Sequence, residues 1–228
     1  DPGSIPWQGS LEYSGSHTSG CILIAADWAL TAAHCTAGRD DPAMFQAWFG
    51  VHDRSTTQGV KYNIAAINHH PEYADSAPWP NDVTVLELAE SVDLSDPWVE
   101  VVSMSGRVFD YEHENCFISG WGRLCGGCEL PMELQVAPVD VLRQADCEDR
   151  WSGYDIGTHH VCIMELEGET IGACNGDSGG PLTCEDSPEA VGIASWVYSG
   201  CNTAYPSVYA RISDFCDFVQ DVSGVSCA

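Results

Sequence analysis

The stretch Gly176-Asp177-Ser178-Gly179-Gly180 is the most informative part of this sequence. It places a serine between glycines, a layout that suits a nucleophile beside a tight backbone turn. A serine hydroxyl is a weak nucleophile until a neighbouring base removes its proton. The stretch therefore predicts that a base, and a carboxylate that orients the base, lie elsewhere in the chain.

Two earlier segments supply these partners. Thr31-Ala32-Ala33-His34-Cys35 contains a histidine, and Asn81-Asp82-Val83-Thr84-Val85-Leu86 contains an aspartate. His34 would accept the proton of Ser178, while Asp82 would hold the imidazole in the required tautomer and stabilise its protonated form. Each residue alone has an ordinary structural explanation, but together they predict a catalytic triad.

Further segments make the chain resemble the chymotrypsin-like (trypsin-fold) serine proteases over nearly all of its 228 residues. The order His, Asp, Ser along the chain is that of this family. Other segments resemble the family in the same order: Pro2-Gly3-Ser4-Ile5-Pro6-Trp7-Gln8, Ile118-Ser119-Gly120-Trp121-Gly122, Gly179-Gly180-Pro181-Leu182, Ser195-Trp196 and Tyr205-Pro206-Ser207-Val208-Tyr209-Ala210-Arg211. Within the family, residues 172–182 together with Ser195-Trp196-Val197 resemble the earthworm fibrinolytic proteases.

Short strand-like runs separated by turn residues predict antiparallel β-structure. Examples are residues 22–25, 45–51, 83–88, 99–104, 117–120 and 192–197, whereas only residues 212–222 have apolar side chains at helical spacing. The resemblance implies an all-β fold of two six-stranded antiparallel barrels with a C-terminal helix. It also implies a single peptidase domain over residues 1–228, with the N-terminal barrel in 1–102, the C-terminal barrel and helix in 103–228, and the active site between the barrels.

Composition excludes several classes of function. The chain has 8 basic and 34 acidic residues and a net charge of −26, which argues against nucleic acid as a partner. The acidic surface is typical of a soluble, secreted protein. No apolar run approaches the length that spans a membrane, so no membrane partner is expected. Because no signal peptide is visible at Asp1, we expect a mature or truncated form.

Twelve cysteines, an even number, predict disulfides and an extracellular, oxidising compartment. The resemblance implies four bridges: Cys21–Cys35, Cys116–Cys184, Cys147–Cys162 and Cys174–Cys201. The other four cysteines allow three pairings. Proximity favours Cys125–Cys128 and Cys216–Cys227, and a tether from this loop to the C-terminal tail is the alternative. A zinc site at Cys125-Gly126-Gly127-Cys128 is disfavoured because no second pair has similar spacing, so neither metal nor cofactor is expected.

The resemblance also assigns roles to residues around the nucleophile. The backbone N–H groups of Gly176 and Ser178 would form the oxyanion hole. Asp177 would pair with the N-terminal ammonium that activation of a zymogen releases, although the usual Ile-Val-Gly-Gly type of start is not found in this chain. The remaining histidines match no motif and are expected to be exposed, with metal ligation as the disfavoured alternative; they are His17, His52, His69, His70, His113, His159 and His160.

Three positions set the specificity pocket in this family. Gly172 stands where trypsin-like members carry aspartate, so a substrate Lys or Arg would find no partner. Val197 stands where wide pockets have glycine, and Ser207 is a small residue at the third position. The backbone of Ser195, Trp196 and Val197 would pair with extended substrate as an added strand.

The sequence thus predicts a secreted, monomeric serine endopeptidase with an elastase- or chymotrypsin-like preference for apolar residues before the scissile bond. Its expected partners are protein or peptide substrates, with fibrin as one candidate, and protein inhibitors. The alternative is a non-catalytic homologue that acts as a binding or regulatory module. A lipase or esterase is disfavoured because its triad residues follow the order Ser, Asp, His.

Overall fold

The computed structural model describes residues 1–107, 111, 115–168, 170–184 and 188–228. Its first half forms a closed antiparallel barrel of six strands in the order β1-β2-β3-β6-β5-β4. The strands are β1 (Gln8–Tyr13), β2 (Ser16–Ala25), β3 (Trp28–Thr31), β4 (Phe45–Phe49), β5 (Val60–His69) and β6 (Thr84–Leu88).

A second barrel follows, with its six strands in the order β11-β8-β9-β10-β13-β12, and the pairing of β11 with β12 closes it. A two-residue strand, β7 (Ser103–Met104), pairs in parallel with β12. The others are β8 (Cys116–Gly120), β9 (Gln135–Val141), β10 (His160–Met164), β11 (Pro181–Cys184), β12 (Glu189–Trp196) and β13 (Ser207–Arg211). The prediction of two six-stranded antiparallel barrels is confirmed.

Side chains alternate between the two faces of each strand, and those on the inner face fill the barrel interiors. At the start of β5, Tyr62 and Ile64 are buried while Lys61 and Asn63 are exposed, as a strand with one face on a core requires. The first barrel buries large apolar side chains completely, among them Leu11, Ile22, Leu30, Phe45, Phe49 and Leu86. The second barrel has its own core, with Val161, Ile163, Leu182, Val191 and Tyr209. Each barrel is therefore a packed scaffold on which the loops between strands are held.

Helices are few in the described part of the chain. α1 is Gln144–Arg150 and α2 is Cys216–Ser223, with short 3-10 turns at Ala33–Cys35, Pro42–Met44 and Ile212–Phe215. The C-terminal helix is thus confirmed. Gly224 ends it in the left-handed conformation, with φ of 75°. None of the described helices has the length and apolarity needed to cross a membrane.

Two local predictions differ from the structure. α1 was not expected, because Cys147 is its only buried residue and no apolar face marks it in the sequence. The run 99–104 is a strand only at Ser103–Met104, since Val99 closes a turn by donating to the carbonyl of Asp96 at 3.1 Å. Both cases are short segments whose conformation tertiary contacts decide.

Five disulfides join the chain: Cys116–Cys184, Cys125–Cys128, Cys147–Cys162, Cys174–Cys201 and Cys216–Cys227. The first links the neighbouring strands β8 and β11. The pairs Cys125–Cys128 and Cys216–Cys227 are local, so the four cysteines that the resemblance left open are paired with their sequence neighbours. Closing a loop of 15 residues, as Cys147–Cys162 does, stabilises a protein by about 3 kcal/mol in the chain-entropy description.

The expected bridge between Cys21 and Cys35 is absent from the structure, which has both as buried free thiols. Cys21 lies on β2 opposite Gly9, and its sulfur occupies the space that a Cβ on Gly9 would need, at 2.7 Å from it. The Cys21 side chain therefore packs into the interior of the first barrel. Burial, with a further contribution from Cys35, raises the pKa of the Cys21 thiol above its usual range.

We predict that the protein without reductant, when unfolded, reacts with two equivalents of a thiol-alkylating reagent, at Cys21 and Cys35. In the folded state Cys21 should react slowly because it is buried and held as the thiol. Mass spectrometry of the labelled peptides is the measurement. Recovery of a peptide that joins Cys21 to Cys35, with no alkylation in denaturant, would contradict the prediction.

Candidate active site

Asp82 lies at the centre of the candidate site and is 1% exposed. Its Oδ1 accepts a hydrogen bond from the backbone N–H of His34 at 2.8 Å, and its Oδ2 accepts one from Nδ1 of the same residue at 2.7 Å. His34 belongs to the first barrel, in the 3-10 turn Ala33–Cys35, and the backbone N–H groups at the start of such a turn have no partner within it. Asp82, two residues before β6, satisfies that donor and fixes the tautomer of the imidazole.

A third donor reaches Asp82 from the second barrel. The hydroxyl of Ser195, on β12, donates to Oδ2 of Asp82 at 2.5 Å. A buried carboxylate is costly unless its oxygens accept hydrogen bonds, and these three donors satisfy that need. Ser195, predicted only for its backbone, thus also contributes its side chain to the site.

The protonation of His34 reflects these neighbours. Burial lowers the pKa of His34, but the electrostatic effect of the Cys35 sulfur and the hydrogen bond to Asp82 outweigh burial and raise the pKa above its usual range. The Asp82 carboxylate therefore stabilises the imidazolium that forms when the neutral ring takes a proton from a nucleophile.

Ser178 lies in a tight turn of the second barrel, directly before β11. The N–H of Asp177 donates to the carbonyl of Cys174 at 3.0 Å, and that of Gly180 donates to the carbonyl of Asp177 at 2.8 Å. Gly179 has φ of 77°, and a Cβ there would collide with the hydroxyl of Thr31, so only glycine fits. The carbonyl of Ser178 accepts from the N–H of Gly20 at 2.7 Å, which ties the turn to β2.

Ser178 and His34 line the same cavity, which has a volume of about 380 Å³. Among the described residues no hydrogen bond joins His34 Nε2 to the Ser178 hydroxyl, and Nε2 instead lies 3.8 Å from the sulfur of Cys35. Catalytic hydrogen bonds are often long in the absence of substrate and shorten in the complex. The structure thus brings the predicted nucleophile and base into one cavity without joining them.

The oxyanion-hole candidates have the conformation that the role requires. Gly176 has φ of 103°, and a Cβ there would lie 2.8 Å from Leu130, so glycine is needed. Within the described part of the chain, the N–H groups of Gly176 and Ser178 donate to no other protein group. Both donors are therefore available to an oxygen of a substrate.

His17 belongs to this site, although the sequence predicts an exposed position for it. Its Nε2 lies 3.2 Å from the carbonyl oxygen of Gly176, and its Nδ1 lies 2.8 Å from the hydroxyl of Ser10. Burial and then the charge of Arg54 lower the pKa of His17 to about 4, so the ring is neutral at pH 7. It therefore donates from Nε2 to Gly176 and accepts from Ser10 at Nδ1. No local motif marks this histidine, because its partner Gly176 is distant in sequence. His160 is also buried rather than exposed, and His113 lies outside the described residues.

Asp177 lies half-buried beneath the same turn. Its Oδ1 accepts from the N–H of Gly122 at 2.8 Å and its Oδ2 accepts from the N–H of Cys174 at 2.9 Å. Burial raises the pKa of Asp177 to about 6, against the effect of these two hydrogen bonds. A neighbouring cavity of about 190 Å³ is lined by Asp177, Gly172 and Ile171 among others. The pairing of Asp177 with an N-terminal ammonium stays a prediction.

The predicted specificity residues fall into two groups. Ser195, Trp196 and Val197 line the cavity beside Ser178. Gly172 and Ser207 do not belong to that lining; a Cβ on Gly172 would lie 3.1 Å from the Ser207 hydroxyl, which accepts from the N–H of Ala173. The sequence did not indicate the other lining residues, namely Asp75, Trp79, Ala173, Cys174, Asn175, Ala194 and Val208.

Asp75 and Trp79 come from a loop of the first barrel, which only tertiary packing places at the cavity. Trp79 contacts Trp196 with ring centroids 5.7 Å apart. Asp75 is exposed, so its carboxylate lies at the rim of the cavity. Among the described residues no group of three or more His, Cys, Asp or Glu side chains is arranged to hold a metal ion.

We predict that Asp177 makes the 1–228 chain less stable as the pH rises. A carboxyl whose folded pKa of about 6 exceeds its unfolded value of 3.8 binds its proton more tightly in the folded state. Asp177 should therefore contribute a fall of about 3 kcal/mol to the unfolding free energy as the pH rises from about 4 to above 6. Denaturant unfolding at a series of pH values measures it.

Asp177→Asn should remove this fall, whereas the exposed Asp221→Asn should retain it. A difference in unfolding free energy between the unsubstituted chain and Asp177→Asn that stays constant over this range would contradict the assignment of the raised pKa to Asp177.

Comparisons with known proteins identify the family of this chain. The Trypsin family model matches residues 1–219. The chain is 37% identical to the fibrinolytic enzyme, isozyme C, of Lumbricus rubellus, over 97% of this chain and 96% of that protein. It is also 37% identical to the human chymotrypsin-like elastase family member 3B, over 96% of this chain and 85% of the relative.

A solved structure is also similar. Neuropsin, a serine protease expressed in the limbic system of mouse brain, superposes with a TM-score of 0.86 at 29% identity, over 97% of this chain and 96% of that one. The match of the family model to almost the whole chain, with relatives at this identity, shows that the protein belongs to the trypsin family of serine proteases.

Proposed function

We propose that this protein is a secreted serine endopeptidase that cleaves peptide bonds through an acyl-enzyme, with Ser178, His34 and Asp82 as its catalytic residues. The proposal rests on one observation. The buried carboxylate of Asp82 accepts hydrogen bonds from the backbone N–H and from Nδ1 of His34, and His34 lines the cavity that also contains Ser178. This arrangement suits the proton transfers of nucleophilic acyl transfer.

In the first step His34 accepts at Nε2 the proton of the Ser178 hydroxyl. The oxygen of Ser178 then forms a bond to the carbonyl carbon of the substrate, and the carbonyl π electrons move onto the carbonyl oxygen. The N–H groups of Gly176 and Ser178 stabilise that oxyanion by about 3–4 kcal/mol each. Asp82 stabilises the imidazolium that forms beside it.

In the second step the oxyanion collapses and the carbon–nitrogen bond breaks. His34 gives its proton to the leaving amine, and the acyl group remains as an ester on Ser178. Water then replaces the amine, and the same imidazole takes a proton from water and returns one to Ser178. The products are a carboxylic acid, an amine and the regenerated enzyme.

The cavity beside Ser178 favours apolar residues before the scissile bond. Four small or medium apolar residues line it: Ala173, Ala194, Val197 and Val208. The carboxylate in its lining belongs to Asp75, which is exposed at the rim. A cationic substrate side chain would lose its hydration there without gaining a buried partner. We propose an elastase- or chymotrypsin-like preference.

Secretion is proposed from the five disulfides, which persist in oxidising compartments. Fibrin is a candidate substrate because of the likeness to the fibrinolytic enzyme of Lumbricus rubellus. The rival function is a non-catalytic homologue, and one observation favours it: no hydrogen bond joins His34 to Ser178 among the described residues.

We predict that Ser178→Ala lowers kcat on a peptide amide by about 10⁶-fold, because the nucleophile acts as one unit with its base. A fluorophosphonate probe should label Ser178 and no other serine, as mass spectrometry of the labelled peptides would reveal. Ser213→Ala, at a serine outside the cavity, should keep both activity and labelling. A processed protein that resists the probe while remaining folded would support the non-catalytic alternative.

We predict a higher kcat/KM for peptide amides with Ala, Val or Leu before the scissile bond than for those with Arg or Lys. Val197→Gly should shift the preference toward Phe by about tenfold, since misfitting methylene groups cost about 1–3 kcal/mol. Val101→Gly, at an exposed valine in a loop, is the matched control and should leave the preference unchanged. A tenfold excess of Arg over both Ala and Leu would contradict the apolar preference.

A further inference from the structure

A second groove on the surface is lined by a cluster of positively charged side chains, although the protein as a whole is strongly acidic. The groove has a volume of about 710 Å³ and is lined by Arg54, Lys61 and Arg123, three of the chain's eight basic residues. Two carboxylates, Glu12 and Glu129, share its lining. With His17 neutral, the groove has more cations than carboxylates, whereas the chain as a whole has a net charge of −26.

The groove begins at the candidate oxyanion hole. Two of its lining residues contact Gly176: His17 through its hydrogen bond to the Gly176 carbonyl, and Leu130 at 2.8 Å from where a Cβ would lie. Arg123 is anchored through its backbone N–H to the carbonyl of Asn175 at 2.9 Å. Gly176 thus lies between this groove and the cavity that contains Ser178.

The groove therefore suits the leaving side of the substrate. If the acyl side of a substrate occupies the cavity beside Ser178, the segment after the scissile bond must leave the nucleophile in another direction. An extended chain advances about 3.3 Å per residue, so the second and third residues after the bond come within reach of this groove.

The three basic side chains are held differently. Lys61 donates to Glu12 at 2.6 Å and lies over the ring of Trp48 at 4.3 Å. Arg54 donates from Nη2 to the carbonyl of Pro131 at 2.9 Å, while its buried Nε has no hydrogen-bond partner. An unpartnered buried N–H is costly, and an acceptor from outside the protein would satisfy it if it reached Nε.

Arg123 is the third cation, and its side chain is exposed at the groove. A guanidinium presents paired donors that match a carboxylate in a bidentate geometry. Elsewhere the excess of acidic residues repels a negatively charged peptide, so the groove is the favoured place for one.

We propose that this groove selects substrates with Asp or Glu at the second or third residue after the scissile bond. The inference rests on the proposed peptidase function and adds a preference on the leaving side, separate from the apolar preference on the acyl side.

The test uses internally quenched peptides that are identical before the scissile bond and carry Glu, Ala or Lys at the second and third positions after it. The order of kcat/KM should be Glu, Ala, Lys, with steps of about two- to fivefold, the range for exposed ion pairs. Raising the salt to about 1 M, where screening extends to only about 3 Å, should shrink these ratios.

Arg123→Glu should abolish or reverse the preference for Glu. Arg150→Glu, at the exposed end of α1 in the second barrel, changes the net charge equally and should leave the preference intact. Equal kcat/KM for the three peptides, or a preference for Lys in the unsubstituted protein, would overturn the inference.

Two further measurements separate this inference from the proposed function. A chromogenic anilide with no residue after the scissile bond reports hydrolysis independently of the groove. Fluorescence anisotropy of a labelled Ala-Glu-Glu peptide on Ser178→Ala reports binding independently of hydrolysis, with the Ala-Lys-Lys peptide as control. Absent hydrolysis with selective binding of the Glu peptide would overturn the peptidase function alone, and normal hydrolysis of the anilide with no selectivity would overturn the groove alone.

Discussion

The hydrogen bonding of the Asp82 carboxylate is the interaction on which the geometry of the site depends. The carboxylate is buried, and it accepts hydrogen bonds from His34 in the first barrel and from Ser195 in the second. A buried charge is tolerated only when it is paired or fully hydrogen-bonded, and removing a partner from a buried pair typically costs about 3–5 kcal/mol. The two barrels are therefore joined at the point where the proposed chemistry takes place, and the imidazole has one orientation and one tautomer.

A second set of polar groups, which are partly buried, holds the turn that carries Ser178. Asp177 accepts backbone N–H bonds from Gly122 and Cys174, and His17 holds the carbonyl of Gly176. These groups leave the N–H donors of the proposed oxyanion hole without protein partners, which is a form of electrostatic preorganisation. Part of the arrangement is unfavourable in itself, because burial raises the pKa of Asp177 against the effect of its two hydrogen bonds.

Charge is distributed unevenly around this centre. The cavity beside Ser178 includes four small or medium apolar residues in its wall, and the groove beyond Gly176 contains three cations. Two chemically distinct regions therefore lie on either side of the proposed nucleophile, in a protein that is otherwise strongly acidic. The free thiol of Cys35 adds a polarisable group beside His34 Nε2, at a position where the family resemblance implied a disulfide.

The sequence by itself determined what short windows encode. Short strand-like runs between turn residues predicted antiparallel β-structure, and the family resemblance implied the two barrels. The motifs around His34, Asp82 and Ser178 identified three residues that the fold brings into one site. The spacing of Cys125 and Cys128 favoured their local pairing, because the two glycines between them allow so short a loop to close. These features depend on neighbours in sequence.

The contacts that depend on barrel closure and strand register were decided only by the tertiary structure. Pairing of β1 with β2 turns Cys21 into the barrel interior rather than into a bridge with Cys35. It also places His17 against Gly176, a residue 159 positions away. Likewise, packing of a first-barrel loop brings Trp79 to the cavity, whereas Gly172 and Ser207 lie outside its lining. Such contacts join residues far apart in the chain, so the physical reason is the same in each case: no local pattern records which side chains a closed barrel brings together.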